Sequence, residues 1–474
     1  MREAAASALT VRVGALPLRP LVACDAGASI ADVASRMAAA DTASVVIVDA
    51  DGRPAGIITD SDLRRRVLAL GRDTSAPASA IASAPVVTLG RDSLGLDAVQ
   101  LMLERRIHHL AVVDDAGRAT GVVADSDLLA HQAAQPLLLA RRIERAATVE
   151  ELGAAHAQYP ETVALLLDAG ARASEIGRIL AETNDRLQRR LVALAERALG
   201  GAPAPFAWIV MGSEGRRVQT LRTDQDNGLV ADDAAPAEAD AYFARFASWM
   251  VDALERVGAP RCQGDVMATN PLWRGRGSDW RARFSAWLAE PKPDALLRAM
   301  IAFDFRGAAG TLALVEDLRA WLVARTPVAR MLQLHVAREL AHRRVALGPL
   351  GRLKSDGFDG KMEAIGIAVD GARLLALQLG IAETSTLARI ARAAAEGAVP
   401  AGDATEVAEA YEAISALRLR RQVALAAEGK PPDNRIVPKE LGRATRAALR
   451  EHLQALARFQ RGVVDRFGPG TRVE

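Results

Sequence analysis

Cysteine is nearly absent: Cys24 and Cys262 are the only two in a chain of 474 residues. Two thiols cannot build a disulfide framework or a cysteine metal cluster for a chain of this length, and they fit a reducing compartment. Long apolar runs are missing as well. No stretch of about 18 uninterrupted apolar residues occurs, so no membrane span is expected. The opening MREAAASALTVRVG has no apolar core long enough for a signal peptide, and the expected location is the cytoplasm. Net charge is lacking too, with 60 basic against 58 acidic residues and a formal charge of +2. That balance argues against nucleic acid or an anionic membrane as the main partner. Only five of the basic residues are lysine, a bias that reads as genome composition together with the abundance of alanine. Neither a Gly-x-Ser-x-Gly elbow nor a Gly-x-x-x-x-Gly-Lys loop is present. His108 and His109 open a strand, and His335 and His342 lie seven apart on a helix. None has a Cys or acidic partner at ligand spacing, so no histidine metal site is expected.

Half of the residues are apolar and a quarter charged, as in soluble globular proteins. The length is too great for one ordinary core, and two to four domains are expected. The N-terminal part is an internal repeat. VVIVDADGRPAGIITDSDLRRR (residues 45–66) returns as LAVVDDAGRATGVVADSDLLAH (residues 110–131), an ungapped offset of 65. Asp32, Met37, Asp49, Gly52, Gly56 and Asp62 fall on Asp97, Met102, Asp114, Gly117, Gly121 and Asp127. Each copy predicts a helix, an apolar strand, a tight turn at a Gly after an acidic residue, a second apolar strand and a helix capped by Asp-Ser-Asp.

These residues resemble a tandem pair of cystathionine-β-synthase-type (CBS) domains over residues 8–132, with repeats at about 8–70 and 73–132. The resemblance implies a compact module that binds an adenine nucleotide (AMP, ADP or ATP) and forms a homodimer. Thr59 and Asp62 would contact phosphate and ribose, with Asp127 the match in the second repeat, where Ala124 replaces the hydroxyl residue. The competing reading is that these residues only cap helices and the module only dimerises.

Residues 133–200 read as a helical connector, with Ile176, Ile179, Leu180, Leu187, Leu191 and Leu194 at helical spacing and a stop at Gly200-Gly201. Then FAWIVMGS predicts a strand that delivers a Gly-Ser turn. Gly212 lets the backbone approach a ligand, and Ser213 with the following amides could cradle a phosphate. TDQDNGLV reads as a second strand, and residues two apart on a strand share a face, so Asp224 and Asp226 converge. Two Mg²⁺ ions about 3.5–4 Å apart would offset their repulsion and hold a nucleoside triphosphate. AMIAFDFRG (residues 299–307) reads as an alternating strand. A lone acid in so apolar a strand is costly unless paired or metal-bound. Asp304 is therefore the candidate third ligand, the alternative being a structural Asp304–Arg306 pair.

Gly212, Ser213, Glu214, Gly215, Arg216 and Thr223, Asp224, Gln225, Asp226, Asn227 together resemble the polymerase-β-like nucleotidyltransferase superfamily. More narrowly, they are similar to CBS-carrying nucleotidyltransferases related to the uridylyltransferase of the PII signalling protein. Met267, Asn270, Pro271, Trp273 and Arg274 also fit that branch. Val218 departs from it, standing in place of an acidic residue, and so does Asp265, where glycine is expected. The resemblance implies a multidomain α/β plus α chain. Its parts would be the CBS pair, the helical connector at 133–200, a nucleotidyltransferase domain with a mixed sheet at 201–326, and a C-terminal helical substrate-binding bundle at 327–474. It also implies Asp224, Asp226 and Asp304 as Mg²⁺ ligands, with Asp304 the base for an acceptor hydroxyl. Gly212 and Ser213 would hold the triphosphate, and Arg216 would offset its charge.

In the C-terminal part, Val369, Leu374, Leu375 and Leu377 predict a core face, and the arginines of LRLRR (residues 417–421) a solvated one. Lys361 and Arg373 match basic positions of the resembling branch and would meet phosphate or the acceptor, or else form surface pairs. The expected function is transfer of a nucleoside monophosphate from an NTP to a protein or small-molecule acceptor, under adenine-nucleotide control. Two rivals stand beside it: a catalytically inactive nucleotide-sensing regulator, and a template-independent RNA polymerase, which the near-neutral charge disfavours.

Overall fold

The computed structural model describes residues 11–16, 18, 20–129, 135–348, 351–354 and 356–468. The expected outer limits at 8–10, 130–134 and 469–474 lie outside the described residues. The chain forms two compact units, residues 1–141 with 168–171, and residues 142–167 with 172–474.

The first unit realises the 65-residue offset strand by strand. β1 (Ala23–Cys24), β2 (Ser44–Val48) and β3 (Pro54–Thr59) form a sheet in that order, with β1/β2 parallel and β2/β3 antiparallel. β4 (Thr88–Gly90), β5 (His109–Val113) and β6 (Ala119–Ala124) repeat the same pairing. Helices Ile30–Ala39 and Gly95–Arg105 stand at equivalent places. The turns depend on the predicted glycines: Gly52 and Gly117 hold φ of 78° and 77°, which side chains rarely adopt. Asp49 Oδ1 accepts the amides of Asp51 and Arg53, each at 2.9 Å. Asp114 Oδ1 does the same for Ala116 and Arg118. Ile30, Val33, Met37, Val45, Ile47 and Ile58 close the core of the first repeat.

In the second unit a four-stranded mixed sheet has the order β10-β7-β8-β9, made of β7 (Phe206–Val210), β8 (Asn227–Ala231), β9 (Arg274–Arg276) and β10 (Arg306–Gly310). β7 pairs antiparallel with both neighbours, and β8 runs parallel to β9. β7 is buried on both faces. Trp208 meets Phe246 of helix Ala239–Val257 and donates its indole N–H to Gln188 of helix Ala173–Leu199 at 2.7 Å. That long helix, read from sequence as connector, thus packs on the sheet. Its six predicted apolar positions are all buried. Ala207 and Ile209 face a core that continues through Trp273, Trp280 and Phe284 into the C-terminal helices. Those are Arg330–His342, Gly366–Leu379, Thr386–Ala395, Ala401–Ala427 and Arg443–Asp465.

One element differs from expectation. AMIAFDFRG is not a strand throughout: Pro293–Ala302 is a helix, residues 303–305 turn, and β10 begins at Arg306. Pro293 starts that helix, a position that suits proline. Leu296, Ala299 and Ala302 bury one face at steps of three, a helical period that the two-residue reading overran. Among the described residues no helix is long and apolar enough to cross a membrane.

Candidate active site in the second unit

β7 ends at Val210, Met211 follows it, and residues Gly212–Gly215 form one helical turn. Gly212 holds φ of 55°, and a Cβ there would fall 2.3 Å from Asp226 Oδ2. Glycine is required because the aspartate sits against its backbone. The amides of Gly215, Arg216, Arg217 and Val218 are consumed inside the turn. Asp224 and Asp226 lie in the extended lead-in to β8, not in the strand itself. Gln225 between them is buried, donating to the carbonyls of Val251 (3.2 Å) and Ala259 (2.9 Å). With Gln225 fixed to the rear, both aspartates line one cleft with Gly212, Ser213 and Arg216. The cleft measures about 860 Å³, and its far wall is formed by Lys361, Val369, Arg373, Tyr411 and Arg418 of the helical part.

Burial raises the pKa of Asp226, and the charge of Asp224 adds to the rise. A hydrogen bond from the Cys262 thiol and the charges of Lys361 and Arg216 oppose it. The thiol itself is pushed up to about 11 by burial and by Asp226, so it stays protonated and donates.

Asp304 does not join Asp224 and Asp226. Its backbone carbonyl is pressed on the Gly-Ser turn, where a Cβ on Gly215 would come within 1.9 Å of it. The carboxylate, 0% exposed, is absent from the cleft lining. It is enclosed by Arg216 (2.7 Å), Arg373 (2.6 Å) and Arg389 (2.7 Å). Burial would raise its pKa, but the three guanidinium groups overcome this and hold it far below the usual carboxylate range. Enclosed by three guanidinium groups, the carboxylate does not face the space that Asp224 and Asp226 line. This corrects the expectation for Asp304, and also its alternative, since Arg306 pairs with Asp185 at 2.6 Å. Among the described residues no three Cys, His, Asp or Glu side chains cluster as a metal site.

Arg216 therefore lines the cleft with one Nη anchored on Asp304 and a buried Nε that has no acceptor. Asp265, standing where the resembling branch has glycine, holds φ of 53°, which explains glycine's use at that position. Its carboxylate accepts from Asn270 Nδ2 at 2.8 Å.

Behind the aspartate loop a smaller cavity of about 160 Å³ is lined by His156, Tyr159, Asn184, Glu214 and Gln219, among others. Glu214 accepts from Asn184 (2.9 Å) and from Gln188. Its pKa is pushed up to about 7, first by burial and further by Asp185 and Asp226, against the pull of Arg306. An unfolded Glu titrates near 4.3, so the folded chain retains a proton that the unfolded chain releases. Stability on this account is greatest below about pH 4 and falls as pH rises towards 7. We expect Glu214→Gln to raise stability at pH 8 by about 2–4 kcal/mol and to leave it unchanged at pH 4. Denaturant unfolding at both pH values measures this, and an equal effect at both would remove Glu214 as the source.

In the first unit, Thr59 caps the Asp60–Asp62 turn. Its Oγ1 donates to Asp62 Oδ2 (2.8 Å) and accepts the Asp62 amide (3.4 Å), while its own amide donates to Asp62 Oδ2 (2.9 Å). Asp127 Oδ2 accepts the Ala124 amide at 2.8 Å. The three predicted nucleotide contacts are thus engaged in capping. Thr59→Ala is expected to cost about 1 kcal/mol without any ligand. An unchanged melting temperature for the ligand-free variant would contradict that.

Sequence reasoning missed Arg389 and Cys262, which carry no local motif, and misjudged Arg418, which the arginine run had placed in solvent.

Three families match parts of the chain. Residues 13–69 and 78–134 match the CBS domain family. Residues 157–294 match the family described as "Putative nucleotidyltransferase DUF294". Residues 330–467 match the "Putative nucleotidyltransferase substrate binding domain". An uncharacterized protein of Methanopyrus kandleri is 34% identical over 121 residues, 25% of this chain and 62% of that protein, so less than two thirds of its length is spanned. The CBS domain-containing protein YhcV of Bacillus subtilis is 34% identical over 22% of this chain and 73% of its own length. Among solved structures, a CBS domain protein of Pyrobaculum aerophilum complexed with AMP is 28% identical. It covers 27% of this chain and 96% of its own, with a TM-score of 0.25.

Proposed function

From the premise that the chain belongs to the CBS domain-containing proteins, we propose that its second unit is a nucleotidyltransferase controlled by an adenine nucleotide at the CBS pair. It transfers a nucleoside monophosphate from an NTP to a protein or small-molecule acceptor, in the manner of the PII uridylyltransferases. The observation that carries the reading is the packing of Asp226 on Gly212. It sets two carboxylates beside a Gly-Ser turn in one cleft, at the cost of any side chain at position 212. A carboxylate pair without a third acidic ligand fits Mg²⁺, which takes one or two carboxylates and completes its shell with water and substrate phosphates. When bound, Mg²⁺ would offset the triphosphate charge and favour in-line displacement at the α-phosphate.

The chain's own residues divide the remaining work. Asp224 and Asp226 would hold the ions, and Ser213 with the Gly212 backbone would receive the phosphates. Arg216 presents a guanidinium that Asp304 keeps in one orientation, so less ordering remains for binding. Arg373, bonded to both Asp304 and Asp370 (2.6 Å each), brings a second fixed cation from the helical part. Asp304 acts as a positioning residue.

Transfer of α-phosphate label from each of the four NTPs, with Mg²⁺ and a cell extract as acceptor pool, tests the reading. Label incorporation with pyrophosphate release is expected for one NTP. Neither product with any of the four would end it, in favour of a nucleotide-sensing regulator. At the CBS pair, the exposure of Leu68 and Leu70 on the first repeat, 75% and 69%, supports a homodimer. Light scattering that shows only monomer would exclude it.

A further inference from the structure

Helix Ala401–Ala427 turns Tyr411, Ser415, Arg418 and Leu419 into the cleft, a stripe at helical spacing. Arg418 is 6% exposed. One Nη donates to the side-chain carbonyl of Asn434 at 2.7 Å, while its Nε is buried with no acceptor. No carboxylate among the described residues lies within 4.0 Å of this guanidinium. Asp359, whose charge acts on it, spends Oδ1 on the amides of Lys361 and Met362, each at 2.8 Å. The other arginines of the unit that are no more than 9% exposed differ: Arg216, Arg373 and Arg389 share Asp304, and Arg186 has Glu144. A buried cation without an anion is costly, so position 418, which also lines the cleft, is a place where the fold leaves an anion to be supplied.

A second cation stands beside it. The Arg418 stem lies against Gly360, where a Cβ would meet it at 3.1 Å. The next residue, Lys361, is exposed in the cleft, without an ion pair among the described residues, and its charge reaches Asp226. Arg418 is also tied to the aspartate loop. Asn434 Oδ1 accepts from Gln422 (3.2 Å), and Gln422 Oε1 accepts the amide of Leu221 (3.2 Å). The subsite and the loop that carries the carboxylate pair are therefore joined by hydrogen bonds.

We propose that Arg418, Ser415 and Lys361 form a phosphate subsite, separate from the triphosphate position, that selects a small acceptor bearing a phosphate group. Two cations and a hydroxyl suit a dianion, and the guanidinium edge matches phosphate geometry. Only the naming of the occupant as an acceptor rests on the transferase reading.

The test is calorimetric titration of inorganic phosphate into the full chain without Mg²⁺. Wild type is expected to bind phosphate at this site. Arg418→Gln would bind it at least about tenfold more weakly, and Ser415→Ala several-fold more weakly. Asp226→Asn would bind it as well as wild type or better, since it removes a nearby negative charge. Unchanged affinity in Arg418→Gln overturns the subsite. In phosphate-free buffer Arg418→Gln and Arg418→Met are expected to melt at or above the wild-type temperature, because each removes an unpaired buried charge. A marked fall in both would make Arg418 a structural residue, and Ser415→Ala then decides: unchanged phosphate affinity in that variant overturns the proposal. Finally, Mg²⁺ with unreactive α,β-methylene NTP analogues should leave phosphate affinity unchanged. Displacement of phosphate would assign the site to the triphosphate tail instead and overturn the acceptor assignment. Failure of label transfer would leave all the Mg²⁺-free isotherms as they are, so the two readings fail separately.

Discussion

Asp226→Asn is expected to lower Mg²⁺-dependent label transfer by roughly a thousandfold or more while the protein stays folded. The substitution is nearly isosteric and keeps the oxygen that the Cys262 thiol donates to, so packing on Gly212 survives. What changes is charge. Burial and the charge of Asp224 both raise the pKa of Asp226, so its charged form is held at a cost. The neutral amide removes that cost, and the variant should melt slightly above wild type in metal-free buffer. With Mg²⁺ the order should reverse, because only wild type gains stability from the ion. Loss of transfer with a metal-free melting temperature at or above that of wild type would locate the defect in the site. Loss of transfer with a collapse in melting temperature would show a structural role instead. Full transfer by the variant would remove Asp226 from the chemistry.

The parts of this molecule that sequence reveals are those whose chemistry is local. The CBS repeat is legible because its turns need glycine at positive φ and an aspartate that closes them, and both recur at the same offset. The Asp224–Asp226 convergence is legible because Gln225 has a buried destination of its own, which turns its neighbours the other way. Asp304 was misread for the opposite reason. Its partners, Arg216, Arg373 and Arg389, come from three distant segments, and no local pattern distinguishes a carboxylate that waits for metal from one enclosed by guanidinium groups. Residues 299–302, the end of the helix Pro293–Ala302, read as strand because Ile301, Phe303 and Phe305 alternate across that end, where Phe303 and Phe305 belong to the turn. Arg418 shows the limit of charge runs as a guide. LRLRR has solvent-facing members, but a helix that lines a cleft on one side puts every third or fourth residue indoors, whatever its charge.

Asp304→Asn tests the other conclusion, that this carboxylate is an anchor. Three guanidinium groups converge on it, and of these only Arg373 has a second carboxylate, Asp370. Asparagine preserves the volume and removes the charge, leaving Arg216 and Arg389 buried without an anion. Breaking a buried pair in this way typically costs about 3–5 kcal/mol, and denaturant unfolding of the second unit should show a loss of that size at pH 7. The pH dependence identifies the cause. The folded pKa of Asp304 is held far below its unfolded value near 3.9, so its contribution is fully present above about pH 4. It is lost only as pH falls through the depressed folded value. The stability gap between wild type and variant should therefore be constant from pH 7 to pH 5 and narrow below pH 4. A gap that closes between pH 7 and pH 5 would implicate another group. Adding Arg389→Met to Asp304→Asn should recover part of the loss, since it removes one of the stranded charges and keeps the apolar volume. Transfer activity should remain low in that double variant, because Arg216 is still without the partner that fixes it. Recovery of stability without recovery of activity is what separates an anchor for a substrate-binding arginine from a purely structural ion cluster.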